Sequence, residues 1–110
     1  MAYDEQLAAR IRDLVADEAG LTEKKMFGGL AFLVEGNMAV AASGQGGLLV
    51  RVDPAESAEL VETTPAVEME MRGRSMAGWL RLDSADVEDD DLSGWVDRGV
   101  SFARSLPPKR

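Results

Sequence analysis

The side chains best suited to chemistry gather at residues 72–81, where Arg72, Arg74 and Arg81 stand near Trp79. Arginine presents a planar fork of donors that grips phosphate or carboxylate through paired hydrogen bonds. An indole beside it offers a plate on which a nucleic-acid base can stack. Acids are equally close: Glu68, Glu70 and Asp83 stand near enough in sequence to pair with these arginines. A self-neutralised polar face or a protein interface therefore answers the pattern better than nucleic acid does. Two glycine-rich segments, Met26-Phe27-Gly28-Gly29 and Gly44-Gln45-Gly46-Gly47, could let another chain or an anion approach the backbone. The first lacks the spacing and helix of a phosphate loop, and the second has no lysine or arginine inside it to secure a phosphate. Both are expected to be bends of a sheet. The acidic run of Asp86, Glu88, Asp89, Asp90 and Asp91 lacks the ligand spacing and loop glycine of a calcium hand. It is expected to be the solvated entrance to a helix, and no metal is expected.

Chemistry is narrowed further by what the chain lacks. It has no histidine and no cysteine, so it has no imidazole base, no thiolate and none of the usual zinc ligand sets. Serine–histidine machinery is excluded with them. Tyr3, the single tyrosine, lies near the chain start. Nothing in the sequence sets one carboxylate pair apart for acid–base work. The expectation is a protein that is not an enzyme and carries no cofactor.

Twelve basic residues face twenty acidic ones, a formal net charge of −8. Neither half of the chain is a basic arm: residues 1–55 hold five basic and eight acidic groups, and residues 56–110 hold seven and twelve. A field of this sign repels phosphate backbones, so direct nucleic-acid binding is disfavoured. The charged opening MAYDEQLAARIRD fits no signal peptide, and no apolar run is long enough to span a bilayer. Together these lead to an expectation of cytoplasmic residence without membrane association.

The elements that must position these residues follow from hydrophobic period and punctuation. Leu7, Ile11, Leu14 and Val15 share a helical face, predicting a helix over 4–18 that Gly20 stops. Apolar runs at 27–34, 38–42 and 48–52 with short connections predict an antiparallel meander. Asp53, Pro54 and Glu56 mark a helix start, running to about Val61 and ended by Thr63, Thr64 and Pro65. Val67, Met69 and Met71 alternate with Glu68 and Glu70, which predicts a strand whose methionines face the core. AGWLRLD offers a further strand, with Arg81 on Trp79's side and Leu80 opposite. Residues 91–106 place Leu92, Trp95, Val96, Gly99, Phe102, Ala103 and Leu106 on one stripe of a final helix. The expected fold is α+β, a single antiparallel sheet of about five strands covered by three helices. Its expected order is α-β-β-β-α-β-β-α, in one domain spanning 1–110.

Several of these segments together resemble a known family. Met26-Phe27-Gly28-Gly29 with Phe32, Gly36 and Met38, then Leu48 to Arg51, then Met76-Ala77-Gly78-Trp79, and the tail from Trp95-Val96 to Pro107 are similar to the N-terminal domain of TfoX/Sxy competence regulators. The resemblance covers nearly the whole chain. It implies a secretion-chaperone-like α+β fold, a two-subunit assembly, and a regulatory or protein-interaction role without catalytic residues. Full-length relatives carry a second, C-terminal domain, and the sequence given is expected to lack it. The candidate interaction surface is Met26, Phe27, Gly28 and Gly29 with Arg72, Arg74, Met76, Gly78, Trp79 and Arg81. A transcriptional regulator linked to nucleic acid, or a small-molecule binder or enzyme built on carboxylates and arginines, stands as the alternative. With only three helices for the sheet, a face or an edge stays open, and a homodimer is expected to close it.

Overall fold

Asp4 starts the first element: its carboxylate accepts from the amides of Gln6 and Leu7 at 3.0 and 3.1 Å, the usual capture of orphan donors at a helix start. The computed structural model describes residues 3–26, 28–44, 46–71, 73–83, 87 and 89–107, with backbone only for Met26, Met71, Ser75, Met76, Asp89 and Asp90. Helix α1 spans Glu5–Leu14 and buries Leu7, Ala8 and Ile11. It stops short of the expected 18, because Val15 already leaves helical geometry and none of Ala16, Asp17 and Glu18 is buried.

Six strands follow: β1 (Leu21–Met26), β2 (Gly29–Val34), β3 (Asn37–Ala42), β4 (Leu48–Arg51), then α2 (Pro54–Thr63), β5 (Val67–Met71) and β6 (Arg74–Leu82), and finally α3 (Asp89–Ser105). The strands make one sheet in the order β1-β2-β3-β4-β6-β5, and every neighbouring pair is antiparallel. The α+β class and the one-sheet architecture are as expected, with one more strand. That extra strand, β1, reads LTEKKM and has Thr22, Glu23, Lys24 and Lys25 exposed. An edge strand solvated on both sides carries no alternation to read. The remaining strands and helices fall within a few residues of the expected positions.

The register shows which face each helix covers. Glu23, Phe32, Val40, Val50, Leu80 and Glu68 are cross-strand neighbours in that order, so they share one face. The four apolar members are fully buried. Arg12 of α1 bridges to Glu23 at 2.7 Å. Gly99 of α3 lies against Val40 and Ala39 so closely that a Cβ would stand 2.5 Å from the Ala39 carbonyl oxygen. Ser57 of α2 donates to the Glu68 carboxylate at 3.1 Å. All three helices therefore cover the same face. Apolar burial between that layer and the sheet is the dominant favourable term.

The expected inward side of β5 is corrected by the same register. Val67 pairs with Arg81 and is 56 % exposed, while Glu68 turns toward the helices. The register then shifts between Glu68 and Met69, which pair with Leu80 and Met76, so the extra residues lie on β6. Met69 is half-buried, and the Met71 side chain lies outside the described residues.

Candidate functional site

The glycine-rich turns meet each other. A Cβ on Gly29 would strike the Ala42 carbonyl oxygen and stand 2.9 Å from the Gly44 amide, and one on Gly47 would strike the Leu82 carbonyl oxygen. The two turns and the end of β6 thus interlock at one end of the sheet, and small residues there permit the close approach of backbones. Arg74 begins β6 and so lies at the opposite end. Gly28 and Gly29 are accordingly separated from the Arg74–Trp79 segment by the length of the sheet and by β3 and β4. The two parts of the sequence candidate do not form one patch. Phe27 and Arg72 lie outside the described residues, as do the side chains of Met26 and Met76.

Gly78 has a structural task. Its amide donates to Ser57 Oγ at 3.2 Å, and its carbonyl accepts from the Val52 amide at 2.8 Å. With φ at +87° and Pro54 Cγ and Val52 O each 3.0 Å from where a Cβ would be, only glycine fits without strain. Ser57 is buried, accepting from Gly78 and donating to Glu68, so one hydroxyl ties α2 to β5 and β6. The Asp53 carboxylate caps α2 through the Ala55 amide at 2.9 Å. Glu56, in the first turn of α2, bridges to Arg98 of α3 at 3.0 Å.

Trp79 is half-buried and engaged. The Arg51 guanidinium lies 5.0 Å from its ring centroid and 5.5 Å from that of Phe102 on α3. A cation between two ring faces draws helix and sheet together. Arg51 was not among the sequence candidates, and its one signal was an arginine closing the apolar run Leu48 to Val50.

Of the arginines expected to be neutralised by neighbouring acids, Arg74 and Arg81 lie among the described residues, and neither has an ion pair there. Among the described residues the ion pairs are Arg12–Glu23, Arg98–Glu56 and Arg104–Glu18, and none involves Arg74 or Arg81. Glu23 accepts from Arg12 at 2.7 and 2.9 Å. That hydrogen bond holds the Glu23 carboxyl below its ordinary value and raises the Arg12 guanidinium. Arg81 instead belongs to the face without helices, where Lys24, Ala31, Ala41, Leu49, Arg81 and Val67 are cross-strand neighbours in that order. Thr22, Leu33 and Met38 form the adjoining row on β1 to β3, and on β4 and β6 it continues with the Arg51–Trp79 pair, at the end of the sheet where Arg51 meets Phe102. No acidic residue occurs in either row.

Among the described residues no group of three or more acids could hold a metal ion, and no helix is long and apolar enough to cross a membrane. A cleft beside α3, lined by Glu18, Asp97 and Arg104, is shallow, and the Arg104–Glu18 ion pair at 2.7 Å spans it.

A single antiparallel sheet covered by three helices on one side defines the protein as an α+β domain. Residues 13–103 match the TfoX N-terminal domain, and the chain belongs to that family. Its function is accordingly that of a non-enzymatic regulatory or protein-interaction domain. No curated protein and no solved structure matches the chain.

Proposed function

We propose that residues 1–110 act in the cytoplasm as one regulatory domain that recognises protein through its helix-free sheet face and pairs as a homodimer. The observation that carries the reading is the placement of all three helices on one face, fixed by Arg12–Glu23, Gly99–Val40 and Ser57–Glu68. An apolar face without a covering layer is a surface for contact. Of the residues first marked in the sequence, Arg81 supports the reading most directly. The net charge of −8 argues against duplex DNA as the partner.

The outer edge of β1 supports the dimer. In twofold antiparallel pairing centred on Lys24, each Glu23 stands opposite Lys25 of the second copy. The two opposite-charge pairs outnumber the single Lys24–Lys24 contact at the centre of this register, and twofold closure is the commonest way to complete an open edge. Sedimentation equilibrium at micromolar concentration tests this. The expected mass is twice 11.8 kDa, returning to the monomer value in Lys25→Glu. A monomer mass in the wild type that does not rise with concentration contradicts it.

A further inference from the structure

We propose that the helix-free face docks an acidic amphipathic protein segment, one with an apolar stripe and carboxylates toward both ends. The inference rests on the protein-interaction reading and adds the chemistry of the partner. The centre of the face is apolar: Ala31 and Ala41 form its floor, with Leu33, Met38 and Leu49 half-buried around them. Val67, the most exposed of the large apolar side chains described, lies at its far margin.

Cations flank this centre. Lys24 stands on β1 and Arg81 four strands away on β6. Four inter-strand steps of about 4.8 Å put them roughly 19 Å apart. A helix rising about 1.5 Å per residue crosses that span in about 13 residues. Among the described residues neither side chain has an ion pair or hydrogen bond. Arg12, Arg98 and Arg104, on the helices, each have an acid partner. In a chain with twenty acidic residues, a row that holds two cations without an ion pair and no acid, with Asp83 beyond Arg81 at the strand end, is complementary to negative charge brought from outside. That complementarity sets register and discriminates between partners.

The same charges decide among occupants. A second copy laid face to face would bring Lys24 and Arg81 against like charges. A nucleic acid meets the opposing field of the whole molecule, and the apolar centre gives its phosphates no partner. A segment with leucines on one side and glutamates at both ends satisfies both parts of the face.

The test uses the full chain at physiological salt and fluorescence anisotropy. One probe is a labelled peptide of about 14 residues with leucines at helical spacing and glutamates at both ends. The others are its counterpart with lysines for glutamates and a short DNA duplex. The glutamate peptide is expected to bind saturably in the micromolar range, more tightly than the lysine peptide and the duplex. Arg81→Glu should weaken it by about tenfold, since a rim charge acts chiefly on encounter and selectivity, and should strengthen the lysine peptide. Leu49→Glu should abolish binding while circular dichroism shows an unchanged fold. Equal affinity for both peptides, no saturable binding of the glutamate peptide, or duplex binding that Arg81→Glu removes would each overturn the proposal. So would a dimer that Leu49→Glu dissociates, because the occupant would then be a second copy. If the peptide fails while β1 still pairs two chains, the partner chemistry falls and the interaction-domain reading stands.

Discussion

Gly94 and Gly99 occupy one helix and play opposite parts. Gly94 is exposed with open space beyond its Cα, whereas Gly99 is pressed against the Ala39 carbonyl. Gly94→Ala should stabilise the protein by about 0.5–1 kcal/mol through helix propensity. Gly99→Ala should cost about 1–3 kcal/mol through overpacking. Urea titration of the two variants checks both signs. The sequence placed both residues in the final helix, but helical spacing alone cannot say which glycine meets another backbone. Arg51 was equally hard to read, because its aromatic partners Trp79 and Phe102 come from distant parts of the chain. Glu23 gives a pH-dependent prediction. Its folded pKa is depressed by Arg12 below the ordinary 4.5, so its contribution is full above that value and is lost as pH falls through the folded one. The pair is surface-exposed, so the effect is small. Melting temperatures of Glu23→Gln should lie slightly below wild type at neutral pH and converge with it in acid. A deficit independent of pH contradicts the assignment.

At the scale of elements, local chemistry was most legible where it completes itself within a few residues. Asp53 and Pro54 announce α2, and the structure begins the helix there. The turn glycines separate the strands correctly because tight connections need few residues to specify them. Two things escaped. The charged β1 is held by pairing with β2 rather than by an apolar stripe of its own. The β5 alternation was read with its methionines inward, but Glu68 turns inward because Ser57 is there to receive it. Nothing near Ser57 in sequence predicts that role. Ser57→Ala should leave the Gly78 amide without its acceptor and Glu68 without its donor, at a cost of about 1–3 kcal/mol. Denaturant unfolding measures this. Stability equal to wild type would show that the hydroxyl does not join α2 to the sheet.

For the whole molecule, charge and cover act together. The net charge of −8 disfavours polyanions, yet the rows through Lys24 and Arg81 form a local surface of the opposite sign. Composition gave the first of these, and only the register gave the second. Whether Met26–Gly29 lies beside the segment from Arg72 to Trp79 was equally beyond the sequence: strand order decides neighbours, and it puts β3 and β4 between β2 and β6. The family match over residues 13–103 supplies the domain's regulatory and interaction role, and the helix-free face is the surface proposed for it. Nitrogen-15 amide shift mapping on titration with the glutamate peptide tests the central claim most directly. The account predicts shifts centred on Lys24, Ala31, Ala41, Leu49 and Arg81, with α1 and α3 little changed. Shifts concentrated on the exposed sides of α1 and α3, with the sheet rows silent, would contradict it.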